Sequence, residues 1–284
     1  MRRMIRNLLL SAASLTIAAQ AGAPAFANHL EAKMYAITKW DGDAACTGGQ
    51  RDSWDDMAYG WYDEIADSSW YNHAGQAVNG NIKNLWFSDS SLVSGATDTA
   101  HIDGADAAII AFHGGDSGGV WQGSMRVSGG GAKACKSRSD EMLLGNTDLE
   151  FAVLSSCHSM DDNMWSTWRK SFGGLHQADG FHGLMWISSG RVDDYEDFAD
   201  DGFDQAMSYA WMDNLYDDDA SDGYDQCPVA YAVGSSSSDV LNRLTTERYD
   251  YIYSDPSSNN HWAAMYIKNC APKGETTIGS DKSS

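Results

Sequence analysis

Positive charge is scarce in this sequence. Lys and Arg account for 19 of the 284 residues, against 40 Asp and Glu, which gives a formal net charge of −21 at pH 7. A surface this acidic repels phosphate backbones, so we expect no nucleic acid partner. The excess of acid favours a role in solubility or adaptation to a salty medium. The alternative is binding of calcium or attraction of basic substrates.

Long hydrophobic runs are missing after residue 27, since no later stretch approaches the roughly 20 apolar residues that a membrane helix needs. The N-terminal segment has a basic start, an apolar run at residues 8–19 and an A-x-A motif at residues 25–27, which is typical of an export signal. We therefore predict a signal peptide over residues 1–27 and a secreted or periplasmic protein without a membrane span. The alternative is a buried N-terminal helix.

Cysteine is present in a small, odd number. Exported proteins tend to oxidise their thiols in pairs, so at least one of the five cysteines should be left over. If Cys157 is the free one, the other four allow three pairings. We favour Cys46–Cys135 with Cys227–Cys270, because each bridge would tie a loop near the sheet or the late strands and close a long loop.

Segments that resemble strands and helices alternate along the chain. Residues 105–112 (ADAAIIAF) and 149–154 (LEFAVL) are continuous apolar runs, typical of strands buried on both faces of a parallel sheet. The alternation predicts one α/β domain over residues 28–272, and the polar residues 273–284 are predicted to form a disordered tail. Strands are also predicted at 33–39, 84–87, 181–187, 228–233 and 262–267, a hairpin at 120–127, and helices around 54–65, 164–172 and 203–215.

Both buried runs end in a chemically reactive residue. The first leads into His113, which is followed by Gly114 and Gly115, and the second leads into Cys157. If the two strands are parallel neighbours, His113 and Cys157 emerge at one edge of the sheet, where α/β proteins form their sites. A thiol attacks as the thiolate, which a nearby imidazole favours. The N–H of Gly114 or Gly115, with that of Cys157, is placed to hold a developing oxyanion.

An apolar strand ending in His-Gly, followed by one ending in a small residue and Cys, resembles the caspase–gingipain–legumain clan of cysteine peptidases. The resemblance covers roughly residues 35–215 by order of elements, although Ser156 stands where caspases have alanine. It implies a caspase-like three-layer sandwich with a mostly parallel central sheet flanked by helices. His113 would be the general acid and base, Cys157 the nucleophile, and Gly114 part of the oxyanion hole.

The activity implied by this resemblance is that of a secreted endopeptidase. It would cleave a peptide or protein substrate through an acyl-enzyme and need no cofactor. Two alternatives stay open: other chemistry on the same scaffold, such as acyl transfer or cyclisation, and a binding module with an inactive dyad. The Cys46-Thr47-Gly48-Gly49 segment is similar to one found in bacterial secreted proteins that have the same strand ends.

A serine protease motif and an alternative zinc site overlap this region. Residues 115–119 spell GDSGG, the nucleophile motif of chymotrypsin-like serine proteases. We expect Ser117 to lie on a loop beside the site instead, because the surrounding pattern is α/β and not two β-barrels. A zinc site formed by His113, Cys157 and His158 is a second alternative, but its spacing matches no standard ligand pattern.

Acidic residues are concentrated around residues 193–204. Asp193, Asp194 and Asp197 are calcium candidates, because a divalent ion relieves the repulsion between clustered carboxylates. The other interpretation, which the sequence favours, is a solvated acidic helix face. No other cofactor is predicted.

We predict that the exported protein begins at Asn28. The signal pattern places cleavage after Ala27, so mass spectrometry of the secreted protein should find Asn28 as its first residue. A mature protein that keeps residues 1–27 would contradict the export signal.

Overall fold

The computed structural model describes residues 29–41, 44–131 and 133–278. The predicted signal peptide lies outside these residues. Within them, ten strands are numbered in chain order as follows: β1 Leu30–Ala36, β2 Tyr71–Val78, β3 Ala107–Ala111, β4 Gln122–Ser124, β5 Lys136–Arg138, β6 Phe151–Ser155, β7 Gln177–His182, β8 Asp217–Ser221, β9 Tyr224–Gly234 and β10 His261–Tyr266.

Eight of these strands form one central sheet. Its order is β10-β9-β7-β6-β3-β1-β2, with β8 paired to β9. The five neighbouring strands β7, β6, β3, β1 and β2 are parallel to one another. Strands β8, β9 and β10 are antiparallel to their neighbours. The hairpin predicted at residues 120–127 is wrong, because β4 pairs with the distant β5 in a separate two-stranded sheet.

Helices flank the sheet, so the α/β class is confirmed. Trp54, Met57, Trp61 and Ile65 are fully buried in the first helix, as their spacing predicts. Ser53 precedes this helix without a side-chain capping hydrogen bond, and its backbone is left-handed with φ 67°. The helices are α1 Trp54–Asp67, α2 Trp165–Ser171, α3 Val192–Asp204, α4 Met207–Leu215 and α5 Ser237–Thr246.

Two sequence predictions of regular structure differ in detail from the structure. The single helix expected around residues 203–215 is split into α3 and α4, because Gln205 adopts extended backbone between them. Residues 84–87 do not form a strand, since Asn84–Trp86 is a 3₁₀ turn. The third central strand, β7, begins four residues before the predicted run at 181–187.

The sheet separates two apolar cores. In β3, the side chains of Ala107, Ile109 and Ala111 pack on the same side as α1, α3 and α4, whereas Ala108 and Ile110 pack on the opposite side with Trp168 of α2. All residues of β3 and β6 are buried. This confirms the prediction of strands covered on both faces, as expected for central parallel strands.

Two disulfides close long loops, in the pairing that the sequence analysis favoured. Cys46 is bonded to Cys135 and Cys227 to Cys270, with Cα–Cα distances of 5.7 and 5.8 Å, and Cys157 is free. In the chain-entropy model each bridge contributes about 4 kcal/mol by restricting the unfolded chain. No helix in the described part of the chain is long and apolar enough to cross a membrane.

Residues 273–278 are ordered against the domain. The N–H of Leu184 donates to Lys273 O at 3.0 Å, His182 Nε2 donates to Thr276 O at 2.8 Å, and Ile278 is buried. The expectation of a disordered tail is therefore wrong for these six residues. Residues 279–284 lie outside the described part of the chain.

We predict that the buried Asp179 of β7 makes the stability of the folded protein depend on pH. Burial raises its pKa from 3.8 to about 8, although a hydrogen bond from Gln177 Nε2 at 2.8 Å opposes this shift. Between those two pH values the folded protein holds a proton that the unfolded chain has lost, so stability falls as pH rises. We predict that Asp179→Asn removes this dependence, while its side-chain oxygen still accepts from Gln177.

Urea unfolding at pH 5 and pH 8 measures the effect. The parent protein should lose on the order of 3–4 kcal/mol more than Asp179→Asn over this interval, since one unit of pKa corresponds to about 1.4 kcal/mol. Other titrating groups contribute equally to both proteins and cancel in the comparison. Equal losses in the two proteins would contradict the prediction.

Candidate active site

The ends of β3 and β6 lie side by side at the carboxyl edge of the sheet. Their parallel register pairs Ala111 with Ser155, and His113 and Cys157 each follow two residues later. The His113 ring lies 5.2 Å from the ring of Trp54 in α1, and Cys157 packs against the core on that same side of the sheet. The structure therefore brings His113 and Cys157 to one edge and one face.

Gly114 lies close against the residues that follow β6. A Cβ atom here would overlap the carbonyl oxygen of Cys157 and the hydroxyl of Ser156, so no larger residue fits without displacing backbone. The Ser156 hydroxyl donates to Phe112 O at 2.7 Å and fastens the two segments together. Gly115 differs, because a Cβ there would meet nothing within 4 Å. The space beside Gly115 is open for a ligand.

His113 is held in a defined tautomer. Its Nε2 lies 2.6 Å from the carbonyl oxygen of Gly49, which can only accept, so Nε2 carries the proton and Nδ1 has the free lone pair. The ring also contacts Trp40, at 5.0 Å between centroids. Burial lowers the pKa of His113, and the hydrogen bond to Gly49 opposes this only in part.

The loop that carries Gly49 is anchored by covalent and packing contacts. Cys46 is bonded to Cys135, and its N–H donates to Arg126 O at 3.1 Å. A Cβ on Gly48 would lie 2.6 Å from the Trp40 ring, so this glycine allows the loop to pack closely on that side chain. The Cys-x-Gly-Gly segment thus orients the imidazole of His113, a role that the sequence motif alone does not reveal.

Cys157 is mostly buried, with its Sγ 3.9 Å from Met185 O. Burial raises the pKa of its thiol, and the positive charge of Arg51 opposes this rise. Burial also lowers the pKa of His113, so it favours the uncharged form of both groups and opposes the thiolate that the sequence analysis expects.

Arg51 is the residue of this region that sequence reasoning missed. A Cβ on Gly49 would lie 3.7 Å from its Nη1 and 3.6 Å from His113 Nε2, so the guanidinium and the imidazole flank one glycine. Its charge lowers the pKa values of both His113 and Cys157. The only signal available in the sequence is its position directly after Gln50, next to the Cys-x-Gly-Gly segment.

His158 faces away from Cys157 and joins another cluster. Its backbone is left-handed, with φ 55°, and Nδ1 lies 2.8 Å from Asp161 Oδ2. Burial alone would raise the pKa of Asp161, but the hydrogen bond from His158 and the neighbouring His182 lower it to about 2. The zinc alternative is not assembled: among the described residues, neither His113 nor Cys157 belongs to a group of converging metal ligands.

The GDSGG segment does not form a serine protease site. Ser117 is exposed on a turn, and its N–H donates to Val120 O at 3.0 Å. His101, the histidine 16 residues before Ser117, stacks on Trp86 at 4.1 Å, and burial lowers its pKa to about 4. Ser117 thus lies on a loop, as expected.

The calcium candidates lie on α3 without converging. Asp193 and Asp194 occupy its first turn, where negative charge is favourable to the helix dipole. Asp194 pairs with Arg191 at 3.3 Å, and Arg191 also pairs with Asp217 at 2.5 Å. The guanidinium therefore offsets part of the negative charge of these two carboxylates. In the described part of the chain, Asp193, Asp194 and Asp197 form no group of three close ligand atoms.

We predict that Arg51 sets the reactivity of Cys157. Replacing it in Arg51→Ala should raise the pKa of the thiol, because the opposing positive charge is lost, whereas Arg51→Lys should stay closer to the parent. The rate of alkylation by iodoacetamide between pH 6 and pH 10 reports the thiolate. We expect alkylation at pH 8 to slow by about two- to tenfold in Arg51→Ala. An unchanged pH profile would show that this charge does not act on the sulfur.

Comparison with known proteins gives a family but no activity. The family described as "Domain of unknown function (DUF6345)" matches residues 39–267. No curated protein matches the chain. The matched region contains the loop around Arg51 and both His113 and Cys157, and it ends before Cys270. Because the match covers most of the sequence, the chain belongs to the DUF6345 family.

Proposed function

We propose that this protein is a secreted or periplasmic cysteine hydrolase, an endopeptidase of caspase-like three-layer architecture. The observation that carries the proposal is the placement of His113 and Cys157 two residues beyond a paired position of adjoining parallel strands. Proteins of the α/β class form their sites at the carboxyl edge of the sheet. The candidate nucleophile and the candidate proton carrier both lie at this edge. The oxidised pairs Cys46–Cys135 and Cys227–Cys270 support a location outside the cytoplasm.

The first chemical step follows from the protonation states of the dyad. A neutral thiol is a weak nucleophile, so His113 Nδ1 takes the Cys157 proton as the sulfur attacks the substrate carbonyl carbon. The carbonyl π pair moves to oxygen, and the backbone N–H groups of Gly114 or Gly115 and Cys157 stabilise the resulting oxyanion. The hydrogen bond to Gly49 O keeps Nε2 protonated and so directs Nδ1 to act as the base.

The remaining steps return the dyad to its starting state. The oxyanion collapses, the C–N bond breaks, and the leaving amine takes the proton from His113, which gives a thioester on Cys157. His113 then deprotonates a water molecule that attacks the thioester, and the carboxylic acid product leaves as the thiol is reprotonated. Arg51 favours this sequence because its charge stabilises negative charge that develops on the sulfur.

The open space at Gly115 is relevant to the reaction outcome. A Cβ on Gly115 would meet no atom within 4 Å, which leaves room near the end of β3 for either water or an amine as the second reactant. Attack by an amine would give acyl transfer or cyclisation on the same scaffold. The product analysis below separates these outcomes, and a dyad that is never acylated would indicate a binding module.

We predict that the dyad variants separate nucleophile from base. Cys157→Ala should abolish both labelling by iodoacetamide and cleavage of a peptide library, because no other free thiol is present in the described residues. His113→Ala should lower kcat/KM by ~10²–10⁴-fold, which is the usual contribution of a general base, and leave the melting temperature within a few degrees. Peptide products are measured by mass spectrometry, with and without an added amine.

Ser117→Ala is the matched control. It alters the GDSGG turn without touching His113 or Cys157, so activity should match the parent. Loss of activity in Ser117→Ala with full activity in Cys157→Ala would overturn the proposal. A protein that iodoacetamide labels, that cleaves no peptide and that joins the added amine to the substrate would instead support acyl transfer.

A further inference from the structure

A second cluster of ligand-type side chains lies next to the candidate active site and takes no part in the proposed reaction. His158 Nδ1 lies 2.8 Å from Asp161 Oδ2 and 3.9 Å from Glu275 Oε1. One ligand atom from each of the three residues lies within 4.8 Å of the others. Atoms that share a tetrahedral zinc ion at ~2.0–2.2 Å are separated by about 3.3–3.6 Å, so the ion would replace the proton of the His158–Asp161 hydrogen bond and move these two atoms slightly apart.

His182 provides an independent indication that this cluster holds a cation. Its side chain is fully buried, and Nε2 donates to Thr276 O at 2.8 Å. Nδ1 has no hydrogen-bond partner and lies 3.4 Å from Asp161 Oδ1. A buried imidazole nitrogen without a hydrogen-bond partner is unfavourable, so the polar atoms around Asp161 are not fully satisfied by one another. A cation bound at Asp161 would compensate them.

We propose that His158, Asp161 and Glu275 bind a divalent transition metal of the zinc type, with His182 next to Asp161. One imidazole and two carboxylates suit zinc and its borderline neighbours, whereas calcium and magnesium prefer all-oxygen sites. The side chain of Glu275 is 27% exposed, which gives the ion a route from solvent.

The metal would join two segments that are distant in sequence. His158 and Asp161 belong to the loop after β6, directly after Cys157, whereas Glu275 belongs to the segment that follows the Cys227–Cys270 bridge. Packing already brings these segments together, since a Cβ on Gly274 would lie 3.4 Å from His158 Cε1. The ion therefore fixes the carboxyl-terminal segment across the edge of the sheet, independently of whether Cys157 is catalytic.

The test uses the full chain with Cys157→Ala as the parent, because a free thiol would itself bind zinc. After treatment with EDTA, the parent should bind one equivalent of Zn²⁺ in competition with a chromophoric chelator, and its melting temperature should rise by several degrees. Cobalt should give the visible absorption of a tetrahedral site with nitrogen and oxygen ligands. Calcium at the same concentration should leave the melting temperature unchanged.

Variants assign the bound ion to this cluster. Glu275→Gln and His158→Asn should each weaken zinc binding by at least tenfold, and asparagine is chosen because it tolerates left-handed backbone. Asp222→Asn is the control, since this exposed carboxylate pairs with Lys273 close by but lies outside the cluster. A metal-free variant that melts at the same temperature as the metal-free parent is folded.

Two results would overturn the proposal. One is the absence of zinc binding by the Cys157→Ala parent at micromolar Zn²⁺. The other is binding that is as tight in Glu275→Gln and His158→Asn as in the parent, which would place the ion elsewhere.

Discussion

The parallel pairing of β3 with β6 is the constraint on which the rest of the site depends. Both strands are buried on both faces, so their register is fixed by packing on two sides of the sheet. A shift by one residue would move His113 or Cys157 to the opposite face. Gly114 reinforces this register, because its contact with the backbone of Cys157 leaves no room for a side chain.

Burial determines the electrostatics at this edge as much as charge does. In a protein with a net charge of −21, one might expect nearby carboxylates to dominate the pKa values. Instead, the largest influence on both His113 and Cys157 is loss of water, which favours their neutral forms. Arg51 moderates this effect for the thiol. Under the proposed function, this favours proton transfer from Cys157 to His113 during attack over a preformed ion pair.

The two disulfides act on the same edge of the sheet from opposite sides. Cys46–Cys135 anchors the loop whose Gly49 carbonyl orients His113. Cys227–Cys270 anchors the carboxyl-terminal segment, since Cys227 pairs in the sheet with His182 of β7. Loops that carry function need such anchors, because few backbone hydrogen bonds hold them to the sheet. Covalent links therefore restrict the surroundings of the dyad without adding to the hydrophobic core.

The sequence predicts the α/β class, the buried strands that became β3 and β6, and the placement of His113 and Cys157 at their ends, because continuous apolar runs followed by Gly or polar residues are local patterns. It did not reveal β2, whose exposed residues show no apolar alternation, or the start of β7, where the buried polar residues Gln177 and Asp179 hide the strand. The burial of His113 and Cys157 and the approach of Arg51 to them become visible in the three-dimensional structure. These depend on contacts between distant segments, which no local pattern encodes.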